Sequence, residues 1–192
     1  YKVVKFATDI TAQKVSSLNG AKQIEEINRT QAVIEFTNDG IILSANGNFL
    51  SALGYSLDEI KGKHHSMFVD SAHRSSVEYR EFWAALNRGE YQAAEYKRIG
   101  KGGKEVWIQA SYNPILDQSG KPFKVIKYAT DTTEQVNAAR MLSRAVEEAQ
   151  EVTSAARAGD LSQRIPLAGK QGPIAVLCEG VNSLMETTNV IF

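Results

Sequence analysis

The chain has 192 residues, enough for one domain of ordinary size and additional helices. Hydrophobic residues make up 43% of it and charged residues 23%, a composition typical of globular proteins with a buried core. Its 22 basic and 22 acidic residues cancel, so no basic excess favours a nucleic acid or an anionic membrane surface as a partner.

The first thirteen residues, YKVVKFATDITAQ, recur as FKVIKYATDTTEQ at 123–135, with eight identical positions. The offset of 122 residues is the size of a domain, so the repeat predicts a tandem array of whole domains. We interpret residues 1–11 as the last strand of an upstream copy. Residues 12–30 form a predicted linker helix, broken or bent at Gly20 because glycine weakens a helix interior.

A predicted hairpin opens the next stretch, with strands at 32–36 and 41–45. The Thr37–Gly40 turn between them is rich in residues that accept positive φ. Ser56 followed by Glu59 predicts a capping box at a helix start. Short helices are predicted at 48–55, at 56–62, from about Met67, and at 77–89.

Three more strands are predicted at 92–98, 105–114 and 123–130, separated by turns that contain glycine. Together the elements indicate an α+β domain at 31–135, built on a five-stranded antiparallel sheet with helices crossing one face. We expect the sheet to curl around a small apolar pocket.

Residues 136–192 are predicted to form a helix, a connector and a second helix. In both helices apolar positions step by three and four, as in a coiled coil. The seam of the first helix is Leu142, Ala145, Ala149, Val152 and Ala156. The second helix begins near Pro173, and its seam is Ile174, Leu177, Val181, Leu184, Thr188 and Ile191. Because neither seam can be buried by one helix, we expect a homodimer with a parallel four-helix bundle.

The sequence also excludes several kinds of site. A single cysteine, Cys178, leaves no partner for an intrachain disulfide and fits a reducing compartment. No apolar run approaches the roughly 20 residues of a membrane-spanning helix, so we expect no membrane span in this chain and a cytoplasmic location. There is no P-loop, dinucleotide loop or nucleophile elbow, and we expect no enzymatic activity.

Residues 30–135 resemble a PAS domain in the segments TNDGIILSAN, LGYSLDEIKGK and KRIGKGGKEVWIQASYNPI. Residues 138–190 resemble a HAMP domain in Gly159-Asp160-Leu161 and in GPIAVLCEGVNSLM. The combination is similar to bacterial methyl-accepting chemotaxis proteins that carry tandem PAS domains. The resemblance implies a sensor, with a chemoreceptor signalling tip and a histidine kinase pathway downstream.

Six polar or aromatic side chains are candidates for the ligand pocket: Trp107, Phe82, Asn46, Asn48, His64 and His65. Flavin-binding PAS domains often carry a tryptophan near Trp107, where simple packing is the alternative. Haem would need a neutral imidazole from His64 or His65, which are otherwise solvent-facing or capping residues. Asn46 and Asn48 are either contacts at the pocket mouth or turn residues. No cofactor is assigned.

The Asp-x-Thr sequence at the end of the last strand is a candidate for signal coupling. Asp131 and Thr133 can cap the helix that follows. The same pattern stands at Asp9 and Thr11, and in PAS domains it ties the sheet to the output helix. We therefore predict a signal-transducing sensor whose pocket state reaches the coiled coil through Asp131 and Thr133. The alternative is a ligand-free PAS module that acts as a dimerisation spacer.

Overall fold

A computed structural model describes residues 11–191, and the side chains of residues 22–188 among them. The predicted strand at 1–11 and Asp9 lie outside the described residues, except for Thr11, which begins the first helix. The chain divides into two compact units between Thr132 and Thr133, where the sequence had suggested 135 and 136. None of the helices described is long and apolar enough to cross a membrane.

Helix α1 runs without interruption from Thr11 to Thr30, so the break predicted as one possibility at Gly20 is absent. One glycine costs a helix only about 1 kcal/mol. The C-terminal end of α1 is also held by side chains of the sheet domain, whose amide groups donate to its last carbonyl oxygens. These contacts offset the weak helix propensity of the segment.

The predicted five-stranded antiparallel sheet is confirmed. Its strands are β1 (Ala32–Phe36), β2 (Ile42–Ala45), β3 (Gln92–Ile99), β4 (Glu105–Leu116) and β5 (Pro122–Asp131). Their order across the sheet is β2-β1-β5-β4-β3. β5 is therefore the central strand, paired with β1 on one side and β4 on the other.

Short helices connect β2 to β3: α2 (Gly47–Leu53), α3 (Leu57–Ile60), a 3-10 turn (His65–Phe68), α4 (Ser71–Arg74) and α5 (Val77–Asn87). Side-chain caps set several of their starts. Asn46 caps α2, and the predicted capping box of Ser56 and Glu59 is present at α3. Ser76 caps α5, which Gly89 closes with a φ of 87°.

The core lies between these helices and one face of the sheet. Along β4, Val106, Ile108, Ala110 and Tyr112 are buried, and the alternate positions are more exposed. This alternation defines the inner face of the sheet. Aromatic and aliphatic side chains of α2, α5 and the 3-10 turn pack against it.

The turn between β3 and β4 passes close to α2, which makes one glycine sensitive to substitution. A Cβ at Gly100 would lie 2.7 Å from the carbonyl oxygen of Leu53, whereas at Gly47 it would meet nothing within 4 Å. We expect Gly100→Ala to lower the free energy of unfolding by about 1–3 kcal/mol. Gly47→Ala, in the first turn of α2, should be neutral or stabilising. Chemical denaturation of the two variants checks this, and equal stabilities would contradict the contact.

The second unit consists of α6 (Thr133–Arg157), a connector and α7 (Gly172–Ile191). The connector starts at Gly159, with a φ of 92°, and returns along α6 until Lys170 pairs with Glu148. On the way, the backbone of Ile165 is held by the side-chain amide of Asn182 in α7. The two helices therefore run in the same direction.

The buried seam of this unit differs in part from the predicted one. In α6, Ala145 and Val152 are buried as predicted, but Leu142 is 48% exposed. In α7 the inward positions are Ile174, Cys178, Val181 and Met185, whereas Leu177 and Leu184 are exposed. Cys178, which is not among the predicted seam positions, thus occupies the seam.

Candidate functional site

A fully buried histidine stands at the centre of the sheet domain. His65, in the 3-10 turn, is 0% exposed and lies between two tyrosine hydroxyl groups. Its Nδ1 is 2.8 Å from Oη of Tyr79 on α5, and its Nε2 is 2.9 Å from Oη of Tyr112 on β4. Both ring nitrogens are therefore satisfied inside the protein.

A guanidinium group extends this chain of hydrogen bonds. Arg98 on β3 donates from Nη2 to Oη of Tyr112 over 3.1 Å. Because arginine can only donate, Tyr112 is free to give its own proton to Nε2 of His65. When Tyr112 donates in this way, His65 carries its proton on Nδ1 and donates to Tyr79. Burial, and next the charge of Arg98, hold the pKa of His65 well below its usual value, so the ring is neutral.

A lysine is buried beside the same tyrosine. Lys127, on the inner face of β5, is 0% exposed, and its Nζ has no hydrogen-bond partner among the described residues. The ammonium position lies 4.8 Å from the ring centre of Tyr112 and 5.4 Å from that of Phe49. Burial, followed by the charge of Arg98, holds the pKa of Lys127 well below its usual range.

A cleft of about 690 Å³ opens between α5 and the edge strand β3. Tyr79, Phe82 and Tyr96 contribute aromatic walls, and Arg98 lines it although only 4% of its surface is exposed. At the rim, Arg88 forms ion pairs with Glu81 and Glu90. The volume is in the range of small-molecule sites.

The structure brings two of the predicted pocket residues together. Phe82 packs within 6.3 Å of the His65 ring, between centroids, and also lines the cleft. His64 instead caps the 3-10 turn by accepting from the backbone N–H of Ser66. It packs so closely on the hairpin turn that a Cβ at Gly40 would lie 2.7 Å from its Nε2.

Trp107 lies on the opposite face of the sheet from the core. Its neighbours Val106 and Ile108 are buried, and its own Nε1 donates to the carboxylate of Glu105. The sequence pattern separated the two faces of β4 correctly, but not which of them is inward. Trp107 is therefore not brought to the side where a ligand would meet His65.

Asn46 and Asn48 hold the end of α1 and do not line the cleft. Both side-chain amides donate to the carbonyl oxygens of Asn28 and Gln31, at 2.8–3.1 Å. The Oδ1 of Asn46 also accepts from the backbone N–H groups of Val33 and Phe49. One side chain thus joins α1, β1 and α2.

Replacing this side chain should loosen α1. Asn46→Asp keeps the accepting oxygen but sets a second oxygen against the carbonyl groups of α1, so we expect a loss of about 1–3 kcal/mol in the free energy of unfolding. Amide hydrogen exchange over residues 22–30 should accelerate. Ser51→Asp is the control, because this exposed residue of α2 forms no hydrogen bond to α1 and the substitution adds the same charge to the same helix. Unchanged exchange in Asn46→Asp would contradict the proposed clamp.

The residues present do not fit haem iron in the way that the sequence allowed. Both nitrogens of His65 are engaged by tyrosine hydroxyl groups, and Nδ1 of His64 accepts from Ser66. An interior flavin would also lack the contact proposed for Trp107, which lies on the outer face. The described side chains include no group of three His, Cys, Asp or Glu that could hold a metal ion.

The coupling residues stand where the two units join. Asp131 is the last residue of β5, paired with Ile108 on β4, and Thr133 is the first residue of α6. Between them, the backbone N–H of Thr132 donates to the carbonyl oxygen of Trp107 over 2.8 Å. The end of the central strand is thus fixed to β4 immediately before α6 begins.

Comparison with known proteins identifies the first unit. A family model described as the PAS fold matches residues 42–129. Residues 42–129 of this unit therefore form a PAS domain. A solved PAS domain from Colwellia psychrerythraea superposes with a TM-score of 0.53 at 19% identity, covering 60% of this chain and 98% of that one. At this identity the likeness shows the fold of the PAS domain alone.

Two relatives extend the comparison beyond the fold. The biofilm dispersion protein BdlA of Pseudomonas aeruginosa is 38% identical over 135 residues, which are 70% of this chain and 32% of BdlA. The aerotaxis receptor of Escherichia coli is 29% identical over 98 residues, 51% of this chain and 19% of the receptor. The chain spans less than a third of either relative.

Four residues of the buried network were missed by sequence reasoning: Tyr79, Arg98, Tyr112 and Lys127. A signal for one of them was present. In β5, Lys127 shares the inward alternation of Val125 and Ala129, so a charged residue stands at a core position of a strand. Nothing comparable marks Tyr79, which reads as an ordinary residue of an amphipathic helix.

Proposed function

We propose that this chain is the sensing and relay segment of a signal-transducing receptor of the chemotaxis type. The PAS domain detects a ligand, a redox state or a partner, and α6 carries the resulting change onward. The observation that carries the proposal is the path of β5. This central strand passes the buried network at Lys127 and ends two residues before α6 begins.

The relay rests on Asp131 and Thr133. A change in the packing around Lys127 shifts the strand on which it lies, and the pairing of that strand with β4 reaches to Asp131. Two arrangements of the strand end that are close in energy suffice for a switch. The names of the relatives, an aerotaxis receptor and a biofilm dispersion protein, agree with a signalling role.

The helical unit is proposed as a HAMP-like relay that acts in a homodimer. Five large apolar side chains of α6 and α7 remain exposed outside the seam that the two helices share: Leu142, Val146, Val176, Leu177 and Leu184. Leu177 and Leu184 are seven residues apart and therefore lie on one side of α7. A second copy in parallel would cover them in a four-helix bundle. The output is a chemoreceptor signalling tip and its histidine kinase, in the cytoplasm, and the chain itself catalyses no reaction.

Substitution of Asp131 in the full-length receptor tests the relay. We expect Asp131→Ala to abolish the stimulus-dependent change in kinase activity while the circular dichroism spectrum of the protein stays unchanged. Asp39→Ala is the matched control, because Asp39 is exposed in the β1–β2 turn, far along the chain from α6. If Asp131→Ala signals normally, the relay through this residue is refuted.

The alternative is a PAS module that binds no ligand and serves as a dimerisation spacer. The exposed apolar side chains of the helical unit favour this role equally well. It predicts that substitutions at the cleft, such as Tyr96→Ala, leave signalling intact while Leu177→Asp weakens the dimer. The sensor predicts that both substitutions impair signalling.

A further inference from the structure

Two cationic side chains are buried in the PAS domain without an acid to balance them. Arg98 is 4% exposed and Lys127 is 0% exposed. Among the residues that the structure describes, no carboxylate lies within ion-pair distance of either one. Buried charges in proteins are normally paired, so the arrangement calls for an explanation.

Lys127 can lose its positive charge by releasing a proton, whereas Arg98 cannot. A buried amine gives up its proton, and Lys127 has surroundings that favour this. A guanidinium group stays charged under all conditions in which the protein folds. The positive charge left in the core is therefore that of Arg98.

The hydrogen bonds of Arg98 are incomplete on one side. Nη1 donates to the carbonyl oxygen of Lys97 and Nη2 to the hydroxyl of Tyr112, while the guanidinium lies 4.6 Å from the ring centre of Tyr96. Its Nε has no partner within the described part of the chain. All of its present partners are neutral, so an anion would bind here without displacing an existing charge pair.

An anion would reach Arg98 through the cleft between α5 and β3. Arg98 lines this cleft together with Tyr79, Phe82 and Tyr96. Beside the guanidinium of Arg98 stand the faces and edges of aromatic rings, which suit an apolar body, while the carboxylate of Glu78 lines the cleft at α5. Arg88, the other arginine of the cleft, is already engaged by Glu81 and Glu90.

We propose that the cleft binds a small organic carboxylate with an aromatic or apolar body, whose carboxylate pairs with Arg98. A phosphate dianion would need more donors than one partly engaged guanidinium supplies. A cationic ligand would meet the buried positive charge. The proposal deepens the sensing role proposed above. Through Tyr112 and His65, the bound carboxylate would reach the hydrogen bond to Tyr79 and the strand pairing beside Lys127.

Three probes of similar size and different charge test the ligand class on the unsubstituted protein. Phenylacetate is titrated by calorimetry and by ligand-observed NMR, beside benzylamine and phenyl phosphate. We expect phenylacetate to bind with a dissociation constant of about 1 mM or lower, benzylamine not to bind, and phenyl phosphate to bind more weakly. Benzylamine binding as well as phenylacetate, or no phenylacetate binding up to about 10 mM, would overturn the proposal.

Substitution of Arg98 then tests the site. Arg98→Gln and Arg98→Lys should each weaken phenylacetate binding by roughly tenfold or more, since the guanidinium that donates to the carboxylate is lost. Lys97→Gln is the control: it removes one positive charge from the neighbouring, exposed position of β3 and should leave binding unchanged. Circular dichroism identifies which variants fold. Full binding in a folded Arg98 variant refutes the site.

The binding measurements and the signalling test are independent. A protein that signals through Asp131 but binds no carboxylate would keep the relay and lose this ligand assignment. If the protein binds phenylacetate through Arg98 but its Asp131→Ala variant signals normally, the ligand assignment is kept and the relay through Asp131 is refuted.

Discussion

Replacing Lys127 by Met is expected to raise the free energy of unfolding by about 3–5 kcal/mol at pH 7. The amine is fully buried, has no hydrogen-bond partner among the described residues and packs against the rings of Phe49 and Tyr112. Methionine fills a similar volume without a polar group to desolvate. A substitution that removes a charged residue should therefore stabilise this protein, as measured by urea denaturation.

The pH dependence of this gain is a sharper test. The pKa of Lys127 is held well below its ordinary value of 10.5 by burial, so below that pH the unfolded chain binds a proton that the folded chain does not. The stability of the unsubstituted protein therefore falls as the pH decreases from about 10.5. Lys127→Met lacks this loss, and its advantage should grow by roughly 1.4 kcal/mol per pH unit until the folded protein also binds the proton.

The control lies on the same strand. Lys124 is partly exposed and pairs with Glu35 at 3.1 Å, so Lys124→Met should be neutral or slightly destabilising. If the difference between the two variants does not change between pH 9 and pH 7, the buried amine is not neutral in the folded protein.

Replacing His65 by Leu is expected to lower the free energy of unfolding by about 2–4 kcal/mol at pH 7. The volume of the side chain is nearly kept, but the hydroxyl groups of Tyr79 and Tyr112 lose their partner inside the core. Tyr79→Phe made in the His65→Leu protein should then cost less than the same change in the unsubstituted protein. Additive costs would contradict a coupled chain of hydrogen bonds.

The cost of His65→Leu should shrink in acid. Burial keeps the pKa of His65 well below its usual 6.5, so below that pH the unfolded chain takes up a proton and the unsubstituted protein loses stability. The leucine variant has no such loss. The difference between the two should therefore be largest above about pH 6.5 and decrease toward pH 5, at up to roughly 1.4 kcal/mol per pH unit.

Local rules predicted the elements of the PAS domain well. The Thr37–Gly40 turn, the capping box of Ser56 and Glu59, and the glycine that closes α5 each depend on a few neighbouring residues. The continuity of α1 was missed because it depends on Asn46 and Asn48, which follow Gly20 in the chain by more than 25 residues. The low helix propensity of Gly20 was outweighed by hydrogen bonds from residues distant in the sequence, which no local sequence pattern indicates.

The site was harder to predict than the fold for the same reason. Alternation along β4 separates Trp107 from Tyr112 but does not state which face is covered by helices. Adjacent histidines look alike in a sequence, whereas the fold buries His65 and leaves His64 at a cap. In α7 the steps of three and four allow both Leu177 and Cys178 in the seam, and only packing against α6 selects Cys178.

The contacts of Asn46 and Asn48 with the end of α1 also determine the rotation, about the helix axis, of any segment attached to the N-terminal end of α1. The helix is fixed to the domain at its C-terminal end, and its 20 residues span about 30 Å at 1.5 Å per residue. Inserting one residue near its N-terminal end would rotate the attached chain by about 100° relative to the sheet, while inserting seven would nearly restore the direction. The length of α1 therefore sets the rotation as well as the distance of any segment attached at its N-terminal end.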